Sequence, residues 1–104
     1  MIQVIHTEQE IQQIIQSFRG LIVIDVFATW CGPCKLLSPK LDKMQQEFPN
    51  VKFIKVDVDE VSNFADKNEI TAMPTIIFIK NSVEVNRITG LNDVHISNMI
   101  KKYM

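Results

Sequence analysis

The sequence predicts an α/β fold in which a central mixed β-sheet is flanked by helices on both faces. Short apolar runs rich in β-branched residues alternate with segments whose apolar residues recur at helical spacing, in the order βαβαβαββα. Strands separated by helices run parallel, whereas the closing pair of strands is antiparallel, so the sheet is mixed. No repeat, low-complexity tract or Pro/Gly/Ser-rich linker interrupts the 104 residues, so we expect a single domain over residues 1–104.

Residues 1–6 predict a short strand, and the next segment predicts the first helix. Thr7-Glu8-Gln9-Glu10 has the form of a capping box, in which a hydroxyl caps the helix start and a carboxylate three residues later binds the backbone N–H of the capping residue. Gly20 is the expected C-terminal cap of this helix. Residues 21–28 are apolar at nearly every position, as expected for a central strand covered on both faces. The apolar stripe of the first helix consists of Ile11, Ile14, Ile15 and Phe18.

The rest of the chain predicts three further helices and three strands. Residues 34–48 predict a helix that Pro39 kinks, and residues 51–57 predict a second central strand followed by a short helix. Residues 75–80 and 83–89 predict a hairpin around Asn81-Ser82, and Asn92 is expected to cap the last helix. The apolar residues assigned to these helices are Leu37, Leu41, Met44, Phe48, Val61, Phe64, Ala65, Ile96, Met99, Ile100 and Tyr103.

The composition argues against several classes of function. Eleven Lys and Arg against twelve Asp and Glu give a net charge of -1, which leaves no basic surplus to bind nucleic acid. The longest apolar runs fall short of the roughly 20 residues that a membrane-spanning helix needs. The first residues also lack the basic flank and the long apolar centre of a secretory signal. We therefore expect a cytoplasmic protein that binds neither nucleic acid nor a membrane.

The two cysteines lie in the segment Trp30-Cys31-Gly32-Pro33-Cys34-Lys35. Cys31 should stand at or just before the first turn of the helix that follows the central strand, where free N–H groups and the helix dipole favour a thiolate, the reactive form of cysteine. Cys34 lies one turn further along, close enough to bond to Cys31 and expected to be less exposed. One thiol would therefore attack and the other would resolve. Pro33 stiffens the spacing, and Gly32 leaves room for the backbone of another protein.

Two other interpretations of the cysteine pair are weaker. A structural zinc site needs four ligands, but there is no second cysteine pair, and His6 and His95 lie outside the usual ligand spacing. A purely structural disulfide that closes so short a loop removes little chain entropy and stabilises a fold poorly. Thiol-disulfide exchange without a metal is therefore the expected chemistry.

Asp25 is the next candidate, because a carboxyl group in a buried strand loses solvation, which raises its pKa unless it is paired. We expect it to exchange protons with Cys34 through water when the resolving thiol becomes a thiolate. The alternative is a buried aspartate neutralised by Lys55 on the adjacent strand, and the two interpretations are compatible.

Pro74 opens the next strand, where proline is tolerated, and the extended Met73 before it would offer its backbone to a partner peptide.

These residues resemble the thioredoxin family, in particular its cytosolic eukaryotic members. The active-site segment that carries the resemblance is Ala28-Thr29-Trp30-Cys31-Gly32-Pro33-Cys34-Lys35. The likeness extends over the whole chain, and the further matching positions are Gly20, Asp25, Pro39, Val56-Asp57-Val58-Asp59, Met73-Pro74-Thr75 and Gly90. A bare C-x-x-C pattern is weak evidence for the family. The Gly32-Pro33 dipeptide between the cysteines, with Trp30 before it and Pro39 after it, is specific. The resemblance implies the thioredoxin fold.

The resemblance also implies the roles of individual residues in a protein disulfide reductase. Cys31 would be the nucleophile that forms a mixed disulfide with the client, and Cys34 the resolving thiol. Asp25 would be the buried proton-transfer carboxylate with Lys55 as its neighbour. Pro74 would be a cis proline that faces the cysteines. The shallow apolar groove around the motif would be formed by Trp30, Met73, Gly90 and Leu91.

The same resemblance implies the partners. Electrons would come from NADPH through thioredoxin reductase, and no cofactor would be bound to this chain. The other partners would be disulfide-containing client proteins, and the chain would be a monomer. An isomerase or oxidase is an alternative, but such relatives place a histidine between the cysteines where this chain has Gly32-Pro33. A redox-idle interaction module is another, but relatives of that kind have usually lost a cysteine.

Two positions depart from the family pattern. Ser82 replaces the glycine that is usual at the hairpin, and since a two-residue hairpin requires positive φ, serine predicts a looser or different turn. Val26 replaces the phenylalanine that usually follows the buried aspartate, with Phe27 next, which predicts some repacking beside Asp25.

Overall fold

A computed structural model describes residues 1–104 and places a five-stranded mixed sheet between helices. The strands are β1 (Gln3–Val4), β2 (Ile22–Phe27), β3 (Lys52–Asp57), β4 (Thr75–Lys80) and β5 (Val83–Thr89). The helices are α1 (Glu8–Ser17), α2 (Gly32–Glu47), α3 (Ser62–Lys67) and α4 (Asp93–Tyr103). The order in the sheet is β1-β3-β2-β4-β5, with β3 parallel to β1 and β2, and β4 antiparallel to β2 and β5. The predicted fold class and element order are confirmed.

No helix in the chain is both long enough and apolar enough to cross a membrane.

The alternation of side chains along β2 separates two apolar cores, one on each face of the sheet. Val23 packs with residues of α2 and α4 such as Leu37 and Ile96. Ile24, the next residue, packs on the opposite face with residues of α1 and α3 such as Ile11. Because successive residues of a strand point to opposite faces, Asp25 shares the face of Val23 and is directed towards α2. The same rule directs Lys55, two residues after the buried Phe53 of that core, to the α2 face.

Gly20 does not cap α1. The helix ends at Ser17, and the capping residue is Phe18, whose φ of -88° and ψ of 119° are extended. Its N–H donates to the carbonyl of Ile14, and Gly20 has no positive φ. A Cβ at Gly20 would lie 2.9 Å from Phe18 Cε2, so this position requires glycine for space rather than for conformation. The predicted cap at the other end is confirmed, because the Thr7 hydroxyl accepts the N–H of Glu10 at 3.2 Å.

The hairpin forms at the predicted residues, but the turn is not loosened by serine. Lys80 pairs directly with Val83, so the loop has two residues, and Asn81 and Ser82 have φ values of 52° and 65°. Two positive φ values are the signature of a type I′ turn, which matches the twist of the strands. The Ser82 hydroxyl donates to the carbonyl of Ile15 at 3.1 Å, in the last turn of α1, where carbonyls lack helical partners. This bond holds serine in a turn that usually favours glycine.

Several element ends differ from the sequence prediction. The first strand is limited to Gln3–Val4, and α2 begins at Gly32 rather than at Cys34. Pro39 lies inside α2, which continues to Glu47. Asn92 precedes α4 but does not cap it with its side chain, which donates instead to the carbonyl of Thr89 at 3.3 Å.

Candidate active site

Cys31 is the N-cap residue of α2. Its extended backbone (φ -88°, ψ 112°) precedes the helix, and its Sγ accepts the backbone N–H of Cys34 at 3.2 Å. Pro33 occupies the first turn, where its missing N–H costs nothing. The sulfur of Cys31 therefore lies at the positive end of the helix dipole, as the sequence predicted, and this environment stabilises a thiolate when the pair is reduced.

Cys31 and Cys34 form a disulfide with their Cα atoms 5.3 Å apart. In this state the two cysteines are almost equally buried, because Cys31 is 6% exposed and Cys34 is 5% exposed. The bond draws both sulfurs into one small cluster with Ala28. What distinguishes the two cysteines is position: Cys31 precedes the helix, while Cys34 lies within its first turn and lines a cavity behind the motif.

The cavity behind Cys34 has a volume of about 320 Å³ and contains one side-chain hydrogen bond. Lys55 Nζ donates to Ser38 Oγ at 2.8 Å, and the same ammonium lies 4.8 Å from the centre of the Phe27 ring. The cavity is lined by Phe27, Ala28, Thr29, Cys34, Lys35, Ser38 and Lys55. Cys34 therefore shares this space with the positive charge of Lys55. Phe27, next to Val26, forms one wall of that space.

Asp25 is 2% exposed, and neither carboxyl oxygen has a hydrogen-bond partner. Burial raises its pKa to about 6, while the charge of Lys55 lowers that pKa and the charge of Asp42 raises it. Asp25 lies directly opposite Lys55 in the β2–β3 register. The two side chains nevertheless form no salt bridge, because the ammonium is bound to Ser38. The lysine therefore acts on the carboxyl group through its charge and not through an ion pair.

The turn before β4 lies against the cysteines. The Met73–Pro74 peptide bond is cis, as the resemblance implies, and Met73 packs against the cluster of Ala28, Cys31 and Cys34. The carbonyl of Pro74 accepts the N–H of Gly90 at 2.9 Å. Gly90 has a φ of +94°, which favours glycine. This hydrogen bond joins the segments that contain Met73 and Gly90, and the exposed Leu91 follows directly.

Trp30 lies on the surface beside Cys31 and is 66% exposed. Its indole N–H donates to Asp59 Oδ2 at 2.9 Å, and the backbone N–H of Asp59 donates to Asp57 Oδ1 at 2.9 Å. Glu60, the next residue, pairs with His6 at 2.8 Å. The described residues contain no group of three or more His, Cys, Asp or Glu side chains that could hold a metal ion.

Sequence reasoning missed Ser38 and the role of Asp59. The spacing of four residues between Cys34 and Ser38 places both on one side of α2, and this was the available signal for Ser38. Nothing local to Trp30 indicates Asp59, which is 29 residues away in sequence.

The chain is similar to known proteins over nearly its whole length. A family model described as Thioredoxin matches residues 2–102. Thioredoxin-2 of Saccharomyces cerevisiae is 41% identical over 100 residues, which cover 96% of this chain and 96% of that protein. The X-ray structure of Fasciola hepatica thioredoxin superposes with a TM-score of 0.95 at 40% identity, covering 99% of this chain and 100% of that one.

A further solved chain comes from structural work on the thiol resolving mechanism in yeast mitochondrial 1-Cys peroxiredoxin via glutathione/thioredoxin systems. It superposes with a TM-score of 0.92 at 38% identity, covering 97% of this chain and 94% of that one.

Proposed function

The chain belongs to the thioredoxin family and is a dithiol-disulfide oxidoreductase, and from that premise we propose that it reduces the disulfides of client proteins through Cys31 and Cys34. The observation that carries this proposal is the position of the pair at the start of α2, where Cys31 Sγ accepts a backbone N–H and is bonded to Cys34. After reduction, the same N–H and the helix dipole stabilise Cys31 as the attacking thiolate.

Client reduction consists of two exchanges that balance in sulfur atoms and electrons. In the first, the Cys31 thiolate attacks one sulfur of the client disulfide, and the other client sulfur leaves as a thiolate. In the second, Cys34 loses its proton and attacks Cys31 Sγ, so the bond between Cys31 and the client breaks. The second client sulfur leaves as a thiolate and takes a proton from solvent. The client gains two electrons, and Cys31 and Cys34 become a disulfide.

Asp25 is the proton acceptor for Cys34 in this proposal. A carboxyl group with a pKa of about 6 is mostly ionised at neutral pH and binds a proton more readily than an ordinary aspartate does. Its oxygens have no other hydrogen-bond partner, and its strand position directs it to the α2 face where Cys34 lies. Water in the cavity relays the proton. The measurement is the rate at which reduced Asp25→Asn is oxidised by a substrate disulfide; a rate equal to the parent's across neutral pH contradicts the role.

The client binds in the groove around the motif. Gly32 has no neighbouring atom within 4 Å of an added Cβ, which leaves open space for a peptide backbone. Trp30 and Leu91 offer exposed apolar surface, while Met73, which packs against the cysteines, offers its backbone next to Gly90. Pro74, which has no N–H, leaves Met73 as the segment's donor and acceptor towards an extended client.

Recycling of the disulfide requires a further dithiol. The proposed source is an NADPH-dependent thioredoxin reductase, and no cofactor is bound to this chain. The proposed working form is a monomeric single domain over residues 1–104 in the cytoplasm. The Gly32-Pro33 dipeptide supports recycling by a reductase, because it is typical of the reducing members of the family. Consumption of NADPH in the presence of a thioredoxin reductase and insulin, dependent on this chain, is the measurement that tests recycling.

Insulin reduction by dithiothreitol, followed by turbidity, tests the function itself. The parent should accelerate precipitation, and the Cys31→Ser and Cys34→Ser variants should not. A chain that gives no acceleration over dithiothreitol alone is an interaction module rather than a reductase.

A trapping experiment assigns the two sulfurs. Cys34→Ser should accumulate a mixed disulfide with insulin chains, visible on a non-reducing gel, because the nucleophile attacks and nothing resolves the product. Cys31→Ser should not accumulate it. The reverse pattern contradicts the assignment of Cys31 as nucleophile.

A further inference from the structure

Ser38 connects the resolving cysteine to the positive charge nearest the buried carboxylate. It lies one helical turn after Cys34 on α2, lines the same cavity and accepts the Lys55 ammonium at 2.8 Å. We propose that Ser38 is a positioning residue that holds the Lys55 ammonium beside Cys34, so that its charge assists the loss of the Cys34 proton. This inference rests on the proposed function and adds a residue to its second exchange.

Lys55 has no other strong partner that would keep it in the cavity. Its ammonium forms no salt bridge, and its second contact is the face of the Phe27 ring at 4.8 Å. Lysine has a long flexible side chain with a strongly hydrated charge, and Lys55 is only half-buried. Without the Ser38 hydroxyl, the ammonium gains more by moving towards solvent than by remaining in the cavity.

The charges in and around this space come from three elements. Lys55 lines the cavity from β3 and Lys35 lines it from α2. Asp25 lies opposite Lys55 in the register of β2 and β3, and Asp42, also on α2, acts on Asp25. The positive charge of Lys55 lowers the pKa of Asp25 against the effect of burial. A fixed ammonium therefore keeps the carboxylate ionised as a base at neutral pH, and it stabilises the thiolate that forms on Cys34.

The step that Ser38 assists transfers one proton. The Cys34 thiol gives its proton to Asp25, and the resulting thiolate attacks Cys31 Sγ. The new bond joins Cys31 to Cys34, and the client sulfur leaves with the electron pair of the broken bond. Lys55 contributes charge to this step, and Ser38 contributes only the position of that charge.

The test measures Asp25 directly in the oxidised protein, where the cysteines do not titrate. The carboxyl ¹³C resonance of Asp25 is followed against pH in the parent, Ser38→Ala, Lys55→Gln and the double variant. Ser38→Ala should raise the midpoint by about half a unit to one unit, and Lys55→Gln by at least as much. In the Lys55→Gln background, Ser38→Ala should add no further shift, because the hydroxyl then has no ammonium to hold.

The kinetic measurement follows oxidation of the reduced protein by a saturating excess of insulin in a single turnover, where attack by Cys34 and release of the reduced client limit the rate. Ser38→Ala should slow release about twofold to fivefold near pH 6, where Asp25 is half ionised, and less at higher pH. Ser38→Thr retains a hydroxyl and should restore most of the parent profile. Ser62→Ala removes an exposed serine on the other face of the sheet and is the matched control.

An unchanged Asp25 midpoint in Ser38→Ala overturns the inference, and so does an equal shift in the presence and absence of Lys55. If Ser38→Ala does not fold, Lys55→Gln still tests the inference, because an unchanged midpoint in that variant also overturns it. These outcomes differ from failure of the proposed function, in which the parent itself forms no mixed disulfide and reduces no insulin.

Discussion

The indole N–H of Trp30 donates to the carboxylate of Asp59 at 2.9 Å, although 29 residues separate them in sequence. This bond orients a side chain that is 66% exposed and lies next to Cys31. Asp59 is itself held by the bond from its N–H to Asp57 Oδ1. The turn after β3 therefore fixes part of the surface that a client meets, and ordering Trp30 beforehand reduces the entropy lost when a client binds.

Removal of this bond should weaken client binding without unfolding the protein. In Asp59→Ala the Trp30 ring is free to rotate, so we expect KM for insulin to rise about threefold to tenfold, the equivalent of about 1 kcal/mol for a single hydrogen bond to a charged group near the surface. Because the chemistry at Cys31 is unchanged, kcat should change much less. Steady-state insulin reduction measures both constants.

Asp66→Ala is the control for Asp59→Ala. It removes the same charge from an exposed position in α3 that forms no hydrogen bond or salt bridge with its side chain. If Asp66→Ala raises KM as much as Asp59→Ala does, the effect is one of net charge, and the orientation of Trp30 is not responsible.

Asp25 should make the protein less stable as the pH rises through the acidic range. Its folded-state pKa of about 6 lies above the ordinary value of 3.8 for an aspartate, so the folded state binds the proton more tightly than the unfolded state does. The associated stability is fully present below about pH 4 and is lost as the pH rises to about 6, and the loss amounts to about 3 kcal/mol in the free energy of unfolding. Urea unfolding of the oxidised protein at several pH values measures this slope.

The Asp25→Asn variant should lack this slope, because an amide does not titrate. Near neutral pH it should be more stable than the parent, by about 2 kcal/mol or more, since no charge is buried. Asp66→Asn, which changes an exposed carboxylate, should keep the parent slope. If parent and Asp25→Asn differ by the same free energy at pH 4 and pH 7, burial does not perturb this carboxyl group as described.

Gly20 and Gly32 should respond oppositely to substitution by alanine. At Gly20 the new Cβ would lie 2.9 Å from Phe18 Cε2 and 3.3 Å from Cζ, so we expect Gly20→Ala to lower the free energy of unfolding by about 1 kcal/mol. At Gly32 no atom lies within 4 Å of an added Cβ, and φ is not positive. Gly32→Ala should therefore raise stability by about 0.5 kcal/mol, because alanine restricts the unfolded chain. Denaturant unfolding of both oxidised variants provides the comparison.

The cost at Gly20 should depend on the Phe18 ring. Phe18→Leu removes the two ring atoms that the new Cβ would meet, so Gly20→Ala should cost less in that background than in the parent. An equal cost in both backgrounds would place the strain elsewhere in the backbone.

Local patterns predicted the features that depend on near neighbours in sequence. The Thr7 cap, the apolar run that buries Asp25 and the helix start next to Cys31 each depend on a few adjacent residues, and the structure has all three. The paired Cys31 and Cys34 also follow from spacing alone, because one helical turn brings their Cα atoms to 5.3 Å.

The features that were not predicted depend on contacts between distant segments. The bond from Lys55 to Ser38 requires β3 to pack against α2, and the bond from Trp30 to Asp59 requires the motif to meet the turn after β3. No local pattern encodes Ser38 or Asp59 as a partner, since each is chosen by the packing of the complete sheet. Gly20 is a different case, because it was assigned to a helix end, where glycine is common, whereas the ring that requires glycine there belongs to Phe18, two residues away.

The turn at Asn81-Ser82 shows how such a distant contact changes the effect of a substitution. Ser82 adopts a φ of 65°, which costs an L-residue about 1 kcal/mol, but its hydroxyl also donates to the Ile15 carbonyl, which contributes a similar amount. Ser82→Gly loses the bond and removes the strain, so its stability should be near the parent's. Ser82→Ala loses the bond and keeps the strain, so it should be less stable than Ser82→Gly by about 1 kcal/mol.

This order is the reverse of the one expected inside a helix, and Ser97 in α4 provides the matched comparison. At Ser97 alanine should be more stable than glycine by about 1 kcal/mol, because glycine loses more backbone entropy on folding. Urea unfolding of the four oxidised variants measures both differences. If alanine equals or exceeds glycine at residue 82 as well, the left-handed backbone at Ser82 carries no strain. The hydrogen bond to Ile15 would then have no strain to offset, and Ser82→Gly should lose at least as much free energy as Ser82→Ala.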